Sequence, residues 1–222
     1  MAIWPFGWEA CFAESIDKLI TNLAEISPTL LFSVPRIYEK AYARIQAMVA
    51  EGSPAKKQLF HWGVAAGKRY FAAKRAKKKA AFADYVQYQT ARKAIFSKVR
   101  ERFGGRLKYA VSGGAPLSSE IGEFFRIAGI PILEGYGLTE TCGPVSLNTP
   151  DDIRFGTVGR PLSEVSARVA EDGEILFKSR KVFAGYYKNA EATEEALTDG
   201  WFHTGDIGYI DEDGFIHITD RK

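Results

Sequence analysis

Cysteine is nearly missing from this 222-residue chain, which holds only Cys11 and Cys142. That scarcity excludes a disulfide framework and a Cys-built metal centre, and it suits a reducing, cytoplasmic setting. Histidine is as sparse: His61, His203 and His217 are too scattered to read as a metal cluster. No apolar run approaches the roughly 18 residues of a membrane span. Net charge is only +3 against 30 basic and 27 acidic residues. Such a balance calls for no nucleic-acid partner. The opening MAIWPFGWEACFAES lacks a basic segment followed by an apolar one, so it is not a secretory signal. Internal repeats and low-complexity tracts are absent too.

What is present is a chain 46% hydrophobic and 13% aromatic, enough for one large domain or two modest ones with a real core. Its Trp-rich start, running straight into a helix, suggests a piece of something longer. Residues 15–26 carry apolar side chains at Ile16, Leu19, Ile20, Leu23 and Ile26, a helical spacing that Ser15 is placed to cap. LLFSV (30–34) reads as a buried strand ended by Pro35. From Arg36 to Arg102 the pattern is helical, broken at EGSP (51–54), and it carries the basic run Lys74–Lys79.

The second half alternates differently. Strand 107–111, helix 118–128 stopped by Gly129, and strand 130–133 form a strand-helix-strand unit. A right-handed crossover would make its strands parallel and bring their C-terminal ends to one sheet edge. SGGAP (112–116) sits at the first end and EGYGLTE (134–140) at the second, so two glycine-bearing loops converge on one nucleotide-sized crevice. Further on, residues 164–179 read as a hairpin turning at Glu171-Asp172-Gly173. Residues 189–197 form a short helix, and 201–220 a second hairpin turning at 211–214. HTGD (203–206) then puts the Asp206 carboxylate at the start of a strand. GVAAGK (63–68) approaches a phosphate-binding loop but is one residue short between its glycines and lacks Ser or Thr after Lys68.

Four segments, VSGGAPL (111–117), YGLTET (136–141), GWFHTGDIG (200–208) and ITDRK (218–222), in that order, resemble the adenylate-forming enzymes. VPRIYEK (34–40) and the long helical stretch after it look most like the long-chain fatty acyl-CoA synthetases. The resemblance implies an α/β fold: a partial parallel sheet flanked by helices over residues 1–155, with a helical insert at 36–105, then a β-rich portion at 156–219. Residues 220–222 would begin the hinge to an absent C-terminal domain. The family activates a fatty acid with ATP to acyl-AMP and passes the acyl group to coenzyme A. Gly113, Gly114, Ala115 and Pro116, with Glu134, Gly135, Tyr136 and Gly137, would enclose adenine, Tyr136 stacking on the base. Thr139 would meet the α-phosphate, Glu140 would bind Mg²⁺, and Thr139 and Glu140 are the catalytic candidates. Asp206 would accept the ribose hydroxyls and Arg221 would donate to ribose or phosphate.

The family's phosphate loop and its C-terminal lysine match nothing in these residues, so the chain reads as a fragment expected to be inactive alone. Two other readings stand beside this one. One is an adenylate-forming enzyme for an aryl or amino acid. The other is a non-catalytic nucleotide- or membrane-binding module. The run Lys74–Lys79 is either a solvated helix face or a peripheral contact with an anionic membrane.

Overall fold

The computed structural model describes residue 7, residues 9–76 and residues 78–222. It divides into two compact units. The described part of Met1–Leu31 joins Arg36–Ala110 and Glu123–Pro131 in the first, and Phe32–Pro35, Val111–Gly122 and Ile132–Lys222 make the second.

Helices dominate the first unit: α1 (Leu19–Ile26), α2 (Pro35–Ala50), α3 (Pro54–Arg75), α4 (Phe82–Ala94), α5 (Ser97–Arg102) and the greater part of α6 (Ser119–Ala128). α1 starts later than the apolar spacing suggests. Ser15 Oγ accepts the Lys18 N–H at 3.2 Å and closes a separate turn, which leaves Ile16 64% exposed. The expected long helical stretch is present, with an additional break at residues 76–81 between α3 and α4. Aromatic rings fill the interior. Phe125 meets Tyr38 and Phe103 edge-on at 6.0 and 5.6 Å, and Phe124 meets Phe96 at 6.3 Å. Such geometry adds to area burial. The glycines of GVAAGK lie inside α3 as packing positions: a Cβ on Gly67 would stand 2.4 Å from Ile127 Cγ2. That rules out a phosphate loop there.

The strands are β1 (Leu30–Ser33), β2 (Tyr109–Ser112), β3 (Ile132–Leu138), β4 (Gly143–Leu147) and β5 (Arg160–Pro161), in that order across one sheet. The Lys108 N–H meets the Thr29 carbonyl and the Gly113 N–H meets the Ser33 carbonyl, so β2 runs parallel to β1. β4 is antiparallel to both β3 and β5. The sheet is therefore mixed, its parallel part flanked by helices as expected.

A second sheet orders β10 (Ile216–Arg221), β9 (Trp201–Ile210), β7 (Glu174–Lys178) and β6 (Ser166–Val169), with β8 (Leu197–Thr198) also paired to β9. Both expected hairpins are present. The first turns where Gly173, at φ +85°, donates its N–H to the Ala170 carbonyl. The helix expected at 189–197 is α7 (Ala190–Ala196), capped by the Asn189 side chain, which accepts the Ala192 N–H at 3.1 Å. Val145, Ile175, Phe177 and Ile216 form the second unit's fully buried centre, and Tyr136 packs against them. Phe215 is gripped by the guanidinium groups of Arg154 and Arg160, 4.1 and 4.2 Å from its ring centre.

One expectation is corrected. The segment after residue 133 is not a loop leaving a short strand, because β3 runs on through EGYGL and the chain turns only at Thr139–Thr141. β4 then returns beside it. This pairing is why glycines flank Tyr136: a Cβ on Gly137 would lie 2.2 Å from the Gly143 carbonyl oxygen. A neighbouring strand, not a ligand, is what approaches that backbone so closely.

Candidate nucleotide site

The candidate nucleotide-site residues all fall in the second unit, and three strand irregularities set their positions. In β3 and β4 the register slips between Tyr136 and Gly137. Between β7 and β9, Glu174 faces Ile207 while Leu176 faces His203, so residues 204–206 bulge opposite Ile175. In β10 the register slips again between Ile218 and Asp220, which leaves Arg221 opposite Asp206. Bulges re-aim side chains that a regular strand would send to fixed faces. Asp206 is thus inside β9, not at its start, and Gly205 supplies the φ of +73° that the bulge requires.

The hydroxyl of Tyr136 donates a short hydrogen bond to Asp206 Oδ2, joining the two motifs across 70 residues of chain. Phe177 lies against the Tyr136 ring, centroids 5.8 Å apart and planes 30° from parallel. Burial, and then the bond to Asp206, push the phenol well above its ordinary pKa. It stays a donor throughout the physiological range. On the other side of Asp206, Arg221 Nε stands 3.8 Å from Oδ1. Asp206 therefore presents a half-buried carboxylate, steadied by a phenol and an exposed guanidinium.

The SGGAP segment is anchored from beneath. Ser112 is buried, while Gly114, Ala115 and Pro116 are exposed. Glu134, only 6% exposed, accepts the Leu117 N–H at 3.2 Å on Oε2 and also takes the Gly156 N–H. Burial raises its carboxyl to about 6 despite these two donors. Its carboxylate is committed to holding the loop. Gly113 lies close enough to β3 that an added Cβ would touch the Gly135 carbonyl at 3.5 Å.

Glu140 stands in the single turn Thr139–Thr141, half-buried. The Tyr186 hydroxyl donates to its Oε1 at 2.9 Å, and the Phe183 N–H donates to its carbonyl at 2.7 Å. The bond to Glu140 in turn raises the Tyr186 phenol. Thr139 is exposed beside it. Among the described residues no group of three His, Cys, Asp or Glu side chains gathers to hold a metal by itself. Glu140 with one oxygen free of protein donors fits the habit of Mg²⁺, which takes one or two carboxylates and shares the rest of its shell with phosphates and water.

A family profile for AMP-binding enzymes matches residues 6–187. The chain belongs to the AMP-binding enzyme family. It is 41% identical over 217 residues to a long-chain-fatty-acid–CoA ligase of Mycobacterium bovis, a match covering 95% of this chain and 35% of the relative. Long chain acyl-CoA synthetase 1 of Arabidopsis thaliana is 39% identical over 227 residues, with 94% and 33% covered. The chain thus spans about a third of the length of the curated relatives it matches. Among solved structures, an o-succinylbenzoate coenzyme A synthetase of Bacillus subtilis in complex with AMP superposes with a TM-score of 0.59 at 20% identity, covering 94% of this chain and 34% of that one. That likeness shows the fold. A Mycobacterium tuberculosis fatty acyl CoA synthetase gives 0.51 at 31% identity, with 61% and 29% covered.

Several residues that shape this candidate site carry no role in the motifs themselves. Thr141, fully buried, accepts the Leu138 N–H at 2.9 Å and donates to the Gly143 carbonyl at 2.7 Å, locking the turn that presents Thr139 and Glu140. Thr204 does the same for the bulge, donating to the Ile175 carbonyl at 2.7 Å and accepting the Asp206 N–H at 3.0 Å. Both are threonines two residues from a candidate ligand, the spacing at which a hydroxyl reaches local backbone. Glu174 and Tyr186 carry no such local signal.

Proposed function

We propose that this chain forms the adenine, ribose and metal side of the active site in a long-chain fatty acid:CoA ligase of the AMP-forming kind. The observation that carries the proposal is the tie between Tyr136 and Asp206 in one compact unit with the SGGAP and TET segments. It is supported by the family and by the names of the relatives. Tyr136 offers an aromatic face to adenine, a contact worth about 1 to 3 kcal/mol, with Gly114, Ala115 and Pro116 opposite. Asp206 accepts the ribose hydroxyls and Arg221 adds positive charge beside them. Thr139 donates to the α-phosphate. Glu140 would hold Mg²⁺, which supplies neutralising charge to the phosphates.

In the reaction the fatty acid carboxylate attacks the α-phosphorus and pyrophosphate leaves. The CoA thiol then attacks the acyl carbonyl and AMP leaves. This chain's residues orient the nucleotide so that the α-phosphorus is held for in-line attack. The lysine expected on the C-terminal domain would act on the same oxygens, and residues 220–222 would begin the hinge that carries it. In the full-length enzyme, chains of a dozen carbons or more should be used far better than acetate or benzoate, since each buried CH₂ adds about 0.8 kcal/mol. Comparable kcat/KM for acetate would favour a short-substrate relative.

We also propose that the tip between α3 and α4 touches an anionic bilayer. No helix among the described residues is long and apolar enough to cross one. The tip exposes Lys74, Lys78 and Lys79, while Lys77 lies outside the described residues. Phe82, 81% exposed, and Tyr85 and Val86, 45% and 43% exposed, follow directly. Cations beside an exposed aromatic suit the headgroup boundary, at about 1 kcal/mol per basic residue. Co-sedimentation with phosphatidylserine-containing vesicles should exceed that with phosphatidylcholine alone, and Lys78→Ala with Lys79→Ala should weaken it by about 2 kcal/mol. Equal binding to both vesicles would leave these lysines as solvated charges at the end of α3 and in the segment before α4.

A further inference from the structure

Glu174 is a carboxylate almost out of solvent, 3% exposed, at the first position of β7. Buried acids are rare unless paired, and this one is paired on every side that faces a polar group. Its Oε1 accepts the Gly205 N–H at 2.7 Å, and Oε2 accepts from His203 Nδ1 at 3.1 Å and from Lys222 Nζ at 3.2 Å. Lys222 also reaches Asp172 at 2.6 Å. Burial by itself would raise the Glu174 carboxyl; the Gly205 N–H, His203 and Lys222 outweigh it and leave it below the ordinary value. It is therefore a carboxylate at neutral pH.

The position of that carboxylate matters more than its charge. Gly205 is the left-handed residue of the bulge in β9, and its N–H would point at nothing in the ladder. Glu174 takes up that orphan donor, one residue before Asp206. The neighbouring Ile175 carbonyl takes the Thr204 hydroxyl, which in turn holds the Asp206 N–H. Two successive residues of β7 thus fix the backbone on which the Asp206 carboxylate stands.

We propose that Glu174 is a positioning residue of the nucleotide site: its side chain sets the bulge that aims Asp206 at the ribose diol. The inference rests on the ribose role of Asp206 given above, and a ribose-specific readout separates the two. AMP and 2′,3′-dideoxy-AMP are titrated into the 222-residue chain, with the amide signals of Gly135, Gly137 and Gly205 followed in nitrogen-15 spectra to millimolar ligand. AMP should bind tighter than the dideoxy nucleotide by about tenfold or more, as two charge-assisted hydrogen bonds predict. Asp206→Asn should bring that ratio towards one.

Glu174→Ala should lower the ratio at least as far as threefold, about, because the bulge is no longer held. Glu174→Gln keeps an acceptor for Gly205 and should keep the ratio within about a factor of three of the parent. Glu174→Asp retains charge but is one methylene too short, and it replaces the alanine variant if that one does not fold. A merely structural role would weaken both nucleotides together and leave the ratio alone. A folded Ala or Asp variant with the parent ratio overturns the positioning role while leaving Asp206 in place. No discrimination by the parent chain, or no AMP binding, overturns the ribose reading and this inference with it.

Discussion

Asp206→Asn in the full-length enzyme is expected to lower kcat/KM for ATP by about 1.5 to 3 kcal/mol, or roughly 10- to 150-fold, through loss of charge-assisted bonds to ribose. Tyr136→Ala should lose about 1 to 3 kcal/mol with the adenine face. The structure gives Tyr136→Phe a cost of its own. The ring face survives that change, but the phenol that steadies Asp206 does not. A hydrogen bond to a charged group contributes about 1.5 to 3 kcal/mol, so the phenylalanine variant should fall between the parent and Tyr136→Ala or match the latter.

These two losses share one carboxylate and should not add. In a double-mutant cycle, Tyr136→Phe on the Asp206→Asn background should cost clearly less than on the parent, with a coupling of 0.5 kcal/mol or more, about the floor for residues in direct contact. Pyrophosphate release at limiting ATP measures all four corners of the cycle. A Tyr136→Phe enzyme with parent kinetics, or strict additivity, would show that the hydroxyl contributes nothing at the site.

The parts of this fold written in local chemistry were the parts legible in sequence. Gly129 after helix 118–128 is punctuation with a physical cause, and α6 ends there as expected. The DG turn at 172–173 likewise closes its hairpin. What failed was register. EGYGL looked like a loop because glycine weakens a strand in isolation, yet β4 stabilises the extended form and needs the missing side chains to come near. No window around residues 133–141 contains that information, since its cause lies in Gly143 and Pro144.

The site follows the same division. Tyr136, Asp206 and Arg221 are nameable one by one, but the register shifts that bring them together are invisible to periodicity. The motif places Glu134 in the adenine wall, but that its carboxylate accepts the Leu117 and Gly156 amides is visible only in the fold. Glu174 carries no sequence signal of its place in the site. An acidic residue beside a DG turn reads as solvent-facing, and only the β7–β9 pairing shows that it faces Gly205.

Gly137→Ala is expected to break the pairing of β3 with β4. The new Cβ would stand 2.2 Å from the Gly143 carbonyl oxygen and 2.7 Å from both the Gly143 carbonyl carbon and Pro144 Cα. Every one of these atoms is backbone, so no side-chain rotation relieves the clash and β3 must part from β4. Overpacking of that kind costs about 3 kcal/mol or more. Gly114→Ala is the control. It has φ +82° but no atom within 4 Å of the added methyl, so its cost is confined to left-handed strain of about 1 to 2 kcal/mol. Urea midpoints of the two purified variants against the parent give the comparison directly. Near-parent stability for Gly137→Ala would mean that β3 and β4 do not pair in this register, and with that the placement of Tyr136 beside Asp206 would lose its support.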